Sequence, residues 1–150
     1  MTANPPKTGP VPANKSEFPV LILGAGFSGI GMAIKLKEAG INNFTLLERE
    51  DEVGGTWRDN FYPGAGVDVH SHLYSFSFEP NPEWTRAFSG WEEILNYIKA
   101  VTDKHELRPH IQFNKDVVSA NFDEDKGLCR ESRDLQEVVA KRCWNYGCLW

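Results

Sequence analysis

The sequence predicts an α/β fold built on a parallel sheet, and three observations carry that prediction. A continuous apolar run, Phe18-Pro19-Val20-Leu21-Ile22-Leu23, suits a strand buried on both faces. The turn Gly24-Ala25-Gly26-Phe27-Ser28-Gly29 follows at once and opens a stretch of helical periodicity. A second apolar run, Phe44-Thr45-Leu46-Leu47, then ends in Glu48. Strand, glycine turn, helix, strand and distal acid together make a dinucleotide-binding β-α-β unit. The expected architecture is a Rossmann-like, three-layer α/β fold, incomplete within this chain.

The first helix is expected over residues 28–39. Ile30, Ala33 and Ile34 recur at i, i+3 and i+4, Lys35, Lys37 and Glu38 are left for solvent, and Gly40 stands where the helix should stop. Residues 51–90 are dense in Gly, Pro and aromatic side chains with weak periodicity, and so long a loop in a compact domain points to function. Ser89 and Glu92 form a capping-box pattern ahead of Ile94, Leu95, Ile98 and Val101, which predicts an amphipathic helix ended by Leu107-Arg108-Pro109. Residues 111–113 and 117–122 are expected as short strands, broken near Asn114 and Lys115. Beyond them, Arg130 to Arg142 mixes charges without strand alternation, and Cys143 to Trp150 has no clear pattern. The expected organisation is a disordered lead-in over 1–17, a partial nucleotide-binding domain over 18–128 and an atypical tail over 129–150.

Composition narrows the function. With 150 residues the chain can form one domain with a sizeable core. Its 41% hydrophobic and 25% charged residues are those of a soluble globular protein. A net charge of -5, with no basic run, argues against nucleic acid as a partner. No segment approaches the ~20 apolar residues of a membrane span, and residues 1–17 lack an apolar signal core, so a cytoplasmic protein is expected. Cys129, Cys143 and Cys148 match no zinc spacing, and their odd number argues against a disulfide framework. His70 and His72 could share a strand face like a metal pair, but no third ligand follows at a sensible spacing, so no metal is expected.

The glycine turn carries the first chemistry. Gly24 permits the tight turn, Gly26 lets the backbone approach a pyrophosphate, and Gly29 lets the helix pack closely on the strand. Phe27 and Ser28 lie in the same turn, at the helix end whose free N–H groups and positive dipole attract phosphate. Glu48 can accept hydrogen bonds from ribose hydroxyls, and its charge would repel a 2′-phosphate. In the long segment, Gly54-Gly55 allows backbone conformations closed to other residues, so Thr56 and Trp57 can lie against a flat ring. Tyr62-Pro63-Gly64 is a rigid turn that could present Asp68 to a cavity. Core packing explains Trp57 and Tyr62 equally well, and core or interdomain packing accounts best for Trp84, Trp91, Phe76, Phe78 and Phe88.

The run from Gly54 to Asp68 resembles the hallmark of the Baeyer–Villiger monooxygenase family: Gly or Ala, Gly-x-Trp, four residues, Phe or Tyr, Pro, Gly or Met, three residues, Asp. Gly24-x-Gly26-x-x-Gly29 and Tyr74-Ser75-Phe76-Ser77-Phe78 complete the match, which covers roughly residues 18–123. The resemblance implies an FAD held by residues 18–128. Glu48 would hold the adenosine ribose, Gly55, Thr56 and Trp57 would approach the flavin, Tyr74 would lie along the cofactor, and Val117 would meet the adenine through its backbone. It implies a flavin reduced by NADPH, addition of oxygen to give a C4a-peroxyflavin, and conversion of a ketone to an ester or lactone. Asp68 would be the catalytic carboxylate beside the flavin, orienting an arginine.

Departures from the family pattern accompany the match. No second GxGxxG for NADPH follows Gly29, the Phe-x-Gly-x-x-x-His-x-x-x-Trp segment is absent, and the apolar strand ending in Ala-Thr-Gly is replaced by Tyr146-Gly147. Most of the NADPH site would thus lie outside this chain, and the tail is expected to be an aberrant end of genuine family sequence. Two alternatives stand beside the enzyme reading: a non-catalytic dinucleotide-binding fragment, and a flavin-containing or N-hydroxylating monooxygenase relative. A small NAD-dependent dehydrogenase would need Tyr-x-x-x-Lys, and Tyr97 has Val101 at the lysine position.

Overall fold

In a computed structural model the described residues are 20–125, 128–133, 136–140 and 142–145, the last three segments as strand backbone. The elements run β1 (Val20–Leu23), α1 (Phe27–Glu38), β2 (Phe44–Leu47), α2 (Thr56–Asp59), α3 (Trp91–Lys104), β3 (Ile111–Gln112), β4 (Ser119–Asp123), β5 (Leu128–Arg133), β6 (Gln136–Ala140) and β7 (Arg142–Asn145), with short 3-10 turns at Ser71–Leu73 and Arg108–His110. A parallel sheet has the order β3-β2-β1-β7, and an antiparallel one the order β4-β5-β6.

β1 is buried on both faces, as its unbroken apolar run requires. Ile22 joins Phe44 and Leu46 in the main core with α1 and α3, whereas Leu21 and Leu47 form a second small cluster with Leu23 and Val117. The chain therefore enters β4 from the face opposite the helices. On α1, Ile30, Ala33 and Ile34 are at most 1% exposed, the stripe that the spacing predicts. Lys37 is not left to solvent: its ammonium donates to the His105 carbonyl at 2.7 Å and ties α1 to the end of α3.

Three sequence expectations are corrected here. α3 starts after Gly90, without a side-chain cap. Ser89 is instead 1% exposed, its hydroxyl 2.9 Å from that of Ser71, so it fastens the loop rather than forming a capping box. The last predicted strand begins at Ser119, and Val117 precedes it. The charged stretch read as lacking strand character carries β5 and β6, and β7 pairs in parallel with β1. The lead-in over 1–17 and the chain end from 146 lie outside the described residues. Among those described, no helix is long and apolar enough to cross a membrane.

The segment 51–90 has little regular structure but is well tied. Val67 N–H donates to the Ser89 carbonyl and Trp91 N–H to that of Ala65, both at 3.0 Å. Phe76, Phe78, Trp84 and Trp91 pack partly buried against the core, while Phe88 is 52% exposed. Tyr62, weighed above as a core residue, is 61% exposed.

Candidate functional site

A cavity of about 520 Å³ lies at the carboxyl ends of β1 and β2 and the amino end of α1, the crevice where open α/β sheets bind ligands. Its lining includes Gly24, Gly26, Phe27, Ser28, Gly29, Glu48, Gly55, Thr56, Trp57, Tyr74 and Val117. These are all the residues proposed from sequence to bind a cofactor except Asp68. Asp68 is exposed and does not line the cavity.

Backbone shape makes the middle of the cavity. Gly24 has φ +89° with no atom within 4 Å of where a side chain would begin, so the turn leaves open space above it. α1 begins with no side-chain cap and no acidic residue in its first turn. Its leading N–H groups and positive dipole end therefore meet the cavity with no capping side chain and no acidic residue of the helix's own first turn in front of them.

One end is built around Glu48, which is 4% exposed. Its Oε2 accepts the Ala25 N–H at 2.7 Å, and its Oε1 accepts the Glu50 N–H and the Arg58 guanidinium, both at 3.1 Å. Arg58 also donates to Asp59 at 2.9 Å through Nε and to the Glu52 carbonyl at 2.5 Å through Nη1. Burial pulls the Arg58 guanidinium down, but its hydrogen bond to Asp59 and the charge of Glu48 leave it above the usual arginine value.

The other end is aromatic. Trp57 is 9% exposed and both packs in the core and lines the cavity, so the two roles weighed for it coexist. Its indole N–H donates to the Tyr74 hydroxyl at 3.1 Å, the rings meeting edge-on at 89°. Phe27 meets Tyr74 edge-on as well, at 5.2 Å between centroids. An indole N–H can only donate, so the Tyr74 hydroxyl accepts from it and its own proton is left for another partner.

Sequence reasoning missed Arg49, Arg58, Asp59 and Lys115, which also line the cavity. For Arg58 the available signal was its place directly after Trp57 in the glycine-rich segment. For Lys115 there was none beyond its place in a strand break; its backbone N–H donates to the Glu48 carbonyl at 2.8 Å. Among the described residues, no three His, Cys, Asp or Glu side chains gather as a metal site. His70 stacks on Phe88 and His110 on Phe44.

Comparison with known proteins gives this geometry a family. Residues 22–91 match the model of the NAD(P)-binding Rossmann-like domain. A Baeyer–Villiger monooxygenase of Streptomyces coelicolor is 52% identical over 107 residues, covering 71% of this chain and 21% of that protein. The chain thus spans about a fifth of the length of that relative. The crystal structure of cyclohexanone monooxygenase from Rhodococcus sp. Phi1 bound to NADP+ superposes with a TM-score of 0.77 at 35% identity, over 84% of this chain and 25% of that one. The OTEMO complex with FAD and NADP gives a TM-score of 0.77 at 30% identity, over 85% and 25%. The chain belongs to the Baeyer–Villiger monooxygenase family, whose N-terminal region it matches.

Proposed function

We propose that residues 18–128 bind FAD along this cavity, with the pyrophosphate at the start of α1. The observation that carries the proposal is the open, uncapped and acid-free α1 terminus, set between a buried ribose-type acceptor and an aromatic wall. The donor set suits the group. N–H groups and a helix dipole meet phosphates, Glu48 meets ribose hydroxyls, and Trp57, Tyr74 and Phe27 offer apolar surface and a hydroxyl to a flat ring system. Val117, which lines the same cavity, would meet the adenine.

When bound, FAD would supply the redox and oxygen chemistry, and the protein would supply position and charge. Each residue then has a limited task. Glu48 accepts from ribose, Trp57 fixes the direction of the Tyr74 hydroxyl, and the core-packed Trp57 ring excludes water from one side. Within a family-length enzyme we assign this unit to NADPH-dependent oxygenation of a ketone, with molecular oxygen, to an ester or lactone. Asp68 is proposed as the carboxylate that serves that reaction. Its exposed position favours a second reading for the chain alone, in which it binds the dinucleotide without turnover.

The purified chain is tested by its visible absorption after incubation with FAD and gel filtration. Retained flavin absorbance supports the proposal, and complete loss of flavin refutes it. NADPH oxidation coupled to ketone consumption by this chain alone would exclude the second reading.

A further inference from the structure

The Glu48 carboxylate offers about four acceptor positions, two on each oxygen. Among the described residues Oε1 receives the Glu50 N–H and Arg58, whereas Oε2 receives only the Ala25 N–H. Arg58 is itself committed. Its Nη1 serves Glu48 and the Glu52 carbonyl, and its Nε and Nη2 engage Asp59 at 2.9 and 2.8 Å. The two side chains are 14% and 5% exposed, so neither is free to swing into solvent. Moving the guanidinium away would strand a buried carboxylate without its cation, a strongly unfavourable state.

We propose that Arg58 is a positioning residue for nucleotide recognition: by filling Oε1, it leaves Glu48 one acceptor, on Oε2, for one of the two ribose hydroxyls of a bound adenine nucleotide. The proposal rests on the reading of the cavity as an FAD site. It also joins the two ends of that site, because Arg58 and the ring-facing Trp57 are neighbours in the single turn of α2.

The experiment titrates the full chain calorimetrically with ADP, 2′-deoxy-ADP and 3′-deoxy-ADP. One analogue should bind about tenfold more weakly than ADP and the other within about twofold, as expected for one hydrogen bond to a charged acceptor. Arg58→Met frees Oε1, so the two analogues should then differ by less than about twofold, while Arg58→Lys, which keeps a donor, should preserve the difference. A role in folding alone would not erase that selectivity. Equal losses for both analogues in the unmodified chain would overturn the single-acceptor proposal while leaving the FAD reading intact. Selectivity that persists in Arg58→Met would overturn the role of Arg58. Absence of ADP binding would sink both readings. Should Arg58→Met fail to fold, the analogue comparison on the unmodified chain still decides the single-acceptor proposal, and loss of the selectivity in Arg58→Lys would overturn the role of the donor at position 58.

Discussion

Two alanine substitutions about 3 Å apart along the axis of one helix should differ sharply in their consequences. A Cβ at Gly29 would lie 2.0 Å from the Gly24 carbonyl oxygen and 3.1 Å from its carbon. Real contacts stop near 3.0 Å, so α1 and the turn must separate by about 1 Å. Both partners are backbone: Gly24 N–H is held by the Leu47 carbonyl at 2.8 Å, and α1 is held by Ile30 and Ile34 in the core. Overpacking that no side chain can relieve should cost about 3 kcal/mol, the upper part of the usual range, and lower the melting temperature by about 10 °C. A Cβ at Gly31 meets only the Phe76 ring edge, at 2.9 Å. That ring borders an open groove and can turn, while alanine gains about 1 kcal/mol of helix propensity over glycine. Gly31→Ala should therefore stay within about 1 kcal/mol of the parent. Urea unfolding followed by circular dichroism measures both. A Gly29→Ala variant as stable as Gly31→Ala would refute the assignment of Gly29 to helix–turn contact.

Three further outcomes are expected. Ile98→Ala removes a side chain that is 0% exposed in the main core and should cost about 2 to 5 kcal/mol in urea unfolding. Ser71→Ala removes the hydroxyl that accepts the buried Ser89 N–H at 2.9 Å, and leaving that donor without a partner should cost about 1 to 3 kcal/mol by the same measurement. The hydrogen bond from Lys104, helped by His105, holds the Glu79 carboxyl below its ordinary value of 4.5. A depressed folded-state value means stability that is present above the unfolded value and lost as pH falls through the folded one. The urea midpoint should thus fall on acidification below about pH 5, and fall less in Glu79→Gln; equal slopes in the two proteins would dismiss the contact.

Much of this architecture was legible because its signals are local. The double burial of β1 follows from an unbroken apolar run, and the buried stripe of α1 follows from the spacing of Ile30, Ala33 and Ile34. Glu48 could be read because a strand end fixes where its residue must lie. The capping box failed because Ser89 found a nearer tertiary partner in Ser71, a contact between residues 18 apart in the chain. β5 was missed because its mixed charges mask the two-residue alternation, and β6 because Val138, Val139 and Ala140 follow one another without a polar residue between them.

The same contrast explains why Arg58 escaped notice while Glu48 did not. Glu48 has a meaning set by its own strand, but Arg58 acquires one only when the chain returns ten residues later to the same carboxylate. Asp68 marks the opposite limit. Its motif names it strongly, yet the fold leaves it exposed on the strip that pairs Gly66 with Gly90, away from the cavity. A carboxylate in water has little electrostatic leverage, because opposite charges 4 Å apart gain only about 1 kcal/mol there. To act on a reaction it must be covered by further protein that lowers the local dielectric and supplies a cation. The cavity by contrast holds the buried Glu48 carboxylate, the uncapped end of α1 and the aromatic wall of Trp57, Tyr74 and Phe27 within this chain. On the proposed reading binding and turnover are separable: residues 18–128 would carry what the first needs, and the second would depend on whatever surface closes over Asp68.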